Sequence, residues 1–123
     1  MTRILVIDDD DDFRNMLRMA LEQDGYSVEE ARNGFEGSQR QRTEPVDLVI
    51  TDILMPEQEG LETIQALRQE FPEIKIIAIS GGTGRLNFLP IARRFGALQT
   101  LQKPFTLQQL HDVLHEILQP PTS

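Results

Sequence analysis

Aliphatic runs recur along the chain at residues 4–7, 48–50 and 74–79, with almost no polar residue inside them. Strands covered on both faces of a parallel sheet read this way, because neither face meets water. Residues 27–31 form a weaker strand pattern, and residues 100–102 a short alternating one that suits a sheet edge. Between these runs the apolar period changes to that of a helix. Phe13, Met16, Leu17, Ala20 and Leu21 repeat at helical spacing and stop before Asp24-Gly25, a good terminator. Leu61, Ile64, Leu67 and Phe71 do likewise and end at Pro72, while Leu107, Leu110, Val113, Leu114, Ile117 and Leu118 give the cleanest stripe. Residues 33–43 and 87–95 are less periodic but long enough for helices. Strand and helix thus alternate five times, which predicts an α/β doubly wound sandwich.

The length of 123 residues suits one domain with a core of its own. Residues 1–118 are assigned to that domain, and residues 119–123 (QPPTS) read as a flexible tail or the stub of a linker. Twenty acidic against twelve basic side chains leave a net charge of −8, which argues against direct nucleic acid binding through phosphates. The chain has no cysteine, so disulfides and thiolate chemistry are excluded. Its apolar runs are too short for a signal peptide or a membrane span, so a cytoplasmic location with no membrane association is expected.

The acids are spread unevenly. In "ILVIDDDDD" a strand runs directly into five aspartates. Ligands of a doubly wound sheet bind beyond the carboxyl ends of its strands. Asp8 and Asp9 end the first strand, Thr51 and Asp52 the third, Ser80 the fourth and Lys103 the fifth, whereas the second contributes nothing comparable. Carboxylates about 5 Å apart repel by roughly 3 kcal/mol at an effective dielectric of about 20. Three such pairs approach the whole stability of a domain, so a proton or a cation must relieve them. Lys103 offsets part, and Mg²⁺, a hard ion suited to oxygen ligands, is the natural remainder.

Asp10, Asp11 and Asp12 fit the start of a helix, where acids are favoured. A calcium-binding EF-hand loop would need Gly and Glu where this chain has Phe13 and Met19. Asp8 and Asp10 have the spacing of the haloacid-dehalogenase aspartate pair, but Asp12 stands where a Thr or Val is expected.

"ILVIDDDDD", "DLVITDILMPEQEG", "IIAISGG" and "LQKPF" together resemble the receiver domain of two-component response regulators, from Arg3 to about Leu118. The resemblance implies a five-stranded flavodoxin-like sheet of order 2-1-3-4-5, the order of chemotaxis receivers. It implies that Asp52 is the phosphoacceptor, loaded from a sensor histidine kinase or a histidine phosphotransfer protein. Asp8, Asp9, Asp52 and the backbone carbonyl of Leu54 would hold Mg²⁺, while Ser80 and Lys103 would receive the phosphoryl oxygens. It also implies a cis Lys103-Pro104 peptide, turning the lysine toward the pocket. Such a chain is no ordinary enzyme. It assists its own phosphorylation and dephosphorylation and switches a downstream protein partner that the residues do not name. A phosphorylation-independent interaction module is the alternative, and a small Mg²⁺-dependent phosphatase a third reading.

The chain departs from the family pattern at two positions. Glu59 replaces the usual Asp or Asn before Gly60, so a looser loop is expected there. Thr100 replaces an aromatic three residues before the lysine, so the switch is expected to act through residues 81–95 and not through Thr100. Gly81-Gly82-Thr83-Gly84 lacks the Gly-Lys-Ser/Thr of a nucleotide loop and reads as a mobile connection, with the Gly81 amide near the phosphoryl group. His111 and His115 lack a third metal ligand and read as a solvated helix face.

Overall fold

The computed structural model describes residues 2–53, 59–80 and 89–118. The elements alternate as β1 (Arg3–Ile7), α1 (Asp11–Gln23), β2 (Ser27–Ala31), α2 (Gly34–Thr43), β3 (Leu48–Asp52), α3 (Glu59–Glu70), β4 (Lys75–Ser80), α4 (Leu89–Phe95), β5 (Gln99–Gln102) and α5 (Leu107–Leu118). All four strand pairings are parallel, and the sheet order is β2-β1-β3-β4-β5. The expected topology is therefore present, with the short fifth strand at one edge and the weak second strand at the other. The third strand continues through Thr51 and Asp52, both buried, and the fourth continues to Ser80. Residues 81–88 and 119–123, on which the loop and tail expectations fall, lie outside the described residues. No helix among the described residues is long and apolar enough to cross a membrane.

Alternation along each strand divides the core between the two faces of the sheet. Ile4, Val6, Leu48, Ile50, Ile77 and Ile79 pack with Leu17 and Leu21 of α1 and Leu110 and Leu114 of α5. Leu5, Ile7, Val49, Ile76 and Ala78 pack on the opposite face with Ile64 and Leu67 of α3 and Ala92 of α4. Both faces are thus sealed, which is why the three central strands β1, β3 and β4 show no polar side.

The ends of α1 follow local chemistry. Asp10 caps its start, its side chain accepting from the amides of Asp12 and Phe13 at 3.0 and 3.2 Å, and Asp11 and Asp12 fill the first turn. Beyond the C-cap at Asp24, Gly25 takes φ +95°, a left-handed conformation that glycine adopts without steric cost.

Helix α2 is held differently. Its buried positions are Gly34, Gly37 and Gln41, not an apolar stripe. A Cβ added at Gly37 would overlap Cδ1 of the buried Ile7, and one at Gly34 would overlap Oγ1 of Thr63. The helix approaches β1 and α3 through missing side chains, and Gln41 accepts the Val46 amide at 2.8 Å to fasten its far end. Overpacking a filled core costs about 1–3 kcal/mol, more than a better helix former returns. Gly37→Leu should therefore lower unfolding free energy in chemical denaturation, and an unchanged or raised midpoint would contradict this packing.

Candidate functional site

Backbone bonds that continue the sheet past its strands set out the pocket. The Asp8 amide donates to the Ala31 carbonyl at 3.1 Å, Ile53 N to Ile79 O at 2.9 Å, and Lys103 N to Ser80 O at 2.7 Å. The residues that end β1, β3, β4 and β5 are thereby fixed along one edge.

Asp8, Asp9 and Asp52 each offer a carboxylate oxygen, and these atoms lie within 4.8 Å of one another. Asp8 and Asp52 are buried while Asp9 is exposed, so the cluster opens to solvent on one side. Ser80 is buried at the end of the neighbouring strand, paired with Gln102 across the ladder. The Lys103 ammonium donates to Asp52 Oδ2 at 2.9 Å and lies 3.4 Å from Asp8 Oδ2. The Lys103-Pro104 peptide is cis. Leu54 lies outside the described residues.

Two residues that the sequence pattern did not mark as functional complete the surroundings. Phe13 read as part of the core stripe of α1, yet its ring centroid is 3.8 Å from the Lys103 ammonium. Phe105 meets that ring edge-on, with centroids 6.1 Å apart. A cation over an aromatic face gains about 0.5–2 kcal/mol according to its desolvation, so the ring steadies the lysine. Arg14, the next residue, donates from Nη1 to the Asp8 carbonyl at 2.7 Å. Its place two residues beyond the acidic run was the only local signal of that role. Asp10, Asp11 and Asp12 serve the helix start, as their positions imply. His111 faces Asp24 at 3.4 Å on an exposed surface.

The electrostatics of the carboxylates are unequal. Burial pushes the Asp8 carboxyl from an ordinary 3.8 up to about 6, and the facing Asp52 adds to the rise. The Asp10 amide and Lys103 oppose that shift without cancelling it. Burial also works against the Lys103 ammonium, but hydrogen bonding and attraction to Asp52, then to Asp8, outweigh it and hold Lys103 above its ordinary value. Lys103 is thus chiefly the partner of Asp52. Asp8 carries the uncompensated charge.

A family model described as the response regulator receiver domain matches residues 4–115. The chain belongs to that family. It is 37% identical to the response regulator receiver protein CpdR of Brucella abortus, covering 96% of this chain and 98% of that one. It is 35% identical to a part of the sensor kinase CckA of the same organism, covering 94% of this chain but only 12% of the kinase. Several other curated relatives are also longer, and the chain spans 45% of one and 50% of another. A crystal structure of a CheY-like receiver domain protein from Methanospirillum hungatei superimposes with a TM-score of 0.88 at 30% identity, over 96% of this chain and 94% of that one. Receiver domains are built around an acidic pocket, and in this receiver it is the Asp8–Asp9–Asp52 cluster.

The raised Asp8 value has a definite consequence for stability. The folded receiver binds this proton more tightly than the unfolded chain, so stability falls as pH climbs from about 4 through 6. In metal-free buffer at about pH 7.5, Asp8→Asn should raise the melting temperature, by the equivalent of about 1–3 kcal/mol. The gain should shrink as pH falls through 6 toward 4. A variant that melts lower than the parent at neutral pH would show that Asp8 is not the strained carboxylate.

Proposed function

We propose that the receiver accepts a phosphoryl group on Asp52, in a Mg²⁺-dependent reaction, from a sensor histidine kinase or a histidine phosphotransfer protein. The observation that carries this reading is the pairing of a buried Asp52 with the Lys103 ammonium at 2.9 Å, inside a cluster of three carboxylates. A carboxylate oxygen of Asp52 attacks phosphorus, the P–N bond of the phosphohistidine breaks, and an acyl phosphate remains. Phosphoryl transfer asks a protein mainly for alignment and charge neutralisation. Lys103 stands where it neutralises the added oxygens, and the Ser80 hydroxyl ends the adjacent strand to accept or donate beside them.

The donor set fits a hard divalent cation. Three carboxylates with oxygens within 4.8 Å, one of them solvent-exposed, supply only oxygen ligands and leave access for water. Asp8, Asp9 and Asp52 would hold Mg²⁺, with the Leu54 carbonyl as the further ligand the family pattern suggests. Once bound, the ion would neutralise charge that builds on the transferring phosphoryl group. Asp8, which Lys103 serves less well, gains most from it.

The likeness to a segment of a sensor kinase supports a phosphorelay setting for the donor. The same chemistry makes this receiver a phosphoacceptor that assists its own modification and hydrolysis, acting in the cytoplasm on a downstream protein. The new charge of about −1.5 to −2 draws Ser80 and Lys103 toward Asp52 and biases the chain beyond β4. A constitutive interaction module that ignores phosphate is the second reading. The juxtaposition of Lys103 with Asp52 and Asp8 favours the first, because an interaction surface has no need of it.

Incubation with a small acyl phosphate donor should add one phosphoryl group, seen by intact mass, only when Mg²⁺ is present. Asp52→Asn should abolish the adduct. Asp10→Asn should leave it intact, since the Asp10 side chain is engaged in capping α1. No labelling of the parent would leave the interaction-module reading in possession, and equal labelling of the Asp52→Asn chain would overturn Asp52 as the acceptor.

A further inference from the structure

Arg14 lies on the first turns of α1, and its side chain is only 11% exposed. Its guanidinium is held on three sides. Nη1 donates to the backbone carbonyl of Asp8 at 2.7 Å, Nε to Glu30 Oε1 at 3.0 Å, and Nη2 to Asp11 Oδ1. Glu30 sits on β2, opposite Val6 in the ladder, so the guanidinium joins the edge strand, the end of β1 and the start of α1. A planar fork with fixed donor directions suits such a junction, which a lysine could not satisfy at once.

The carbonyl it grips belongs to the peptide unit between Asp8 and Asp9. That unit is planar, so fixing its oxygen fixes the direction in which the chain enters Asp9. Asp8 has burial, the Asp10 amide and Lys103 to hold it. Asp9 is exposed, and its own packing does not define its position. We infer that Arg14 is a positioning residue for divalent-cation binding, which it promotes by clamping the Asp8–Asp9 peptide so that both carboxylates meet Asp52. This rests on the Mg²⁺ reading proposed above.

Charge and geometry make opposite predictions here, which is what makes the role testable. A guanidinium one hydrogen bond from the Asp8 carbonyl repels a divalent cation beside it. Were charge its only influence, deleting Arg14 would tighten Mg²⁺ binding. Were it a clamp, deletion would weaken binding despite the removed repulsion. Groups that orient metal ligands typically contribute about 10–100-fold in affinity.

The experiment is calorimetric titration of Mg²⁺ into the unphosphorylated chain, comparing the parent with Arg14→Met and Arg18→Met. Arg18 is the matched control, since it also pairs with Glu30, at 2.8 Å, but makes no bond to Asp8. Arg14→Met should bind Mg²⁺ about ten-fold more weakly or worse, while Arg18→Met stays within about two-fold of the parent, allowing for one distant surface charge. Metal-free melting curves check that both variants are folded. If Arg14→Met does not fold, Arg14→Lys carries the test: it keeps the charge without the fork, and weaker binding is again expected. Equal or tighter binding by the folded Arg14 variant overturns the inference alone, as does an equal loss in Arg18→Met. No Mg²⁺ uptake by the parent overturns the inference and the proposed function together.

Discussion

Two buried carboxylates face a third across less than 5 Å at the carboxyl edge of the sheet, and the rest of the fold must hold them there. At an effective dielectric of about 20 each such pair repels by roughly 3 kcal/mol. Side chains in a loose loop would simply turn away. Here they cannot, because Asp8 is tied by its amide to Ala31 while Ile53, the residue after Asp52, is tied to Ile79. Those bonds extend the ladder of a sheet whose two faces are both filled with aliphatic side chains. The core therefore supplies the stability that the pocket gives up, and the pocket is left ready for a cation.

The five consecutive aspartates divide that labour. Asp8 and Asp9 face the pocket, whereas Asp10 caps α1 and Asp11 and Asp12 occupy its first turn. The acids that do not face the pocket are thus engaged at a helix N-terminus, where the dipole favours negative charge. Lys103 is shared unequally, bonding Asp52 more closely than Asp8. The Phe13 ring over its ammonium and the Phe105 ring against Phe13 limit how far it can swing. Asp52 is thereby paired and held in place, while Asp8 keeps the less compensated charge.

Elements whose burial is written in local pattern were legible in the sequence; those held by distant partners were not. Buried parallel strands read as continuous aliphatic runs, and α1, α3 and α5 carry apolar stripes, so the sheet and the acids at its edge could be placed directly. Helix α2 was indistinct because it packs through Gly34 and Gly37 and not through large side chains. Phe13 looked like core because its spacing from Leu17 is that of the stripe, and only the return of Lys103 from the far end of the chain gives it a second use. Arg14 was invisible for a related reason. Its partner Glu30 lies on β2, the strand that contributes nothing to the pocket itself but anchors the group that grips Asp8.

The far edge shows what can stand in for a missing aromatic. Thr100 is half-buried on β5, beside Ala78 of β4, and is too small to tie the helices on either side together. A polar chain does so instead. Arg93 of α4 donates to Gln99 Oε1 at 3.1 Å, and the Gln99 amide donates to Glu116 Oε1 of α5, also at 3.1 Å. Both bonds are exposed, so each contributes only about 0.5–1 kcal/mol and water replaces it readily. An aromatic that must move between a buried and an exposed site changes apolar burial worth about 1.5–3 kcal/mol. A face joined by exchangeable hydrogen bonds has a shallower landscape. Helix α4 itself stays anchored by Ala92, fully buried in the core, so these bonds govern only how its exposed side meets β5 and α5.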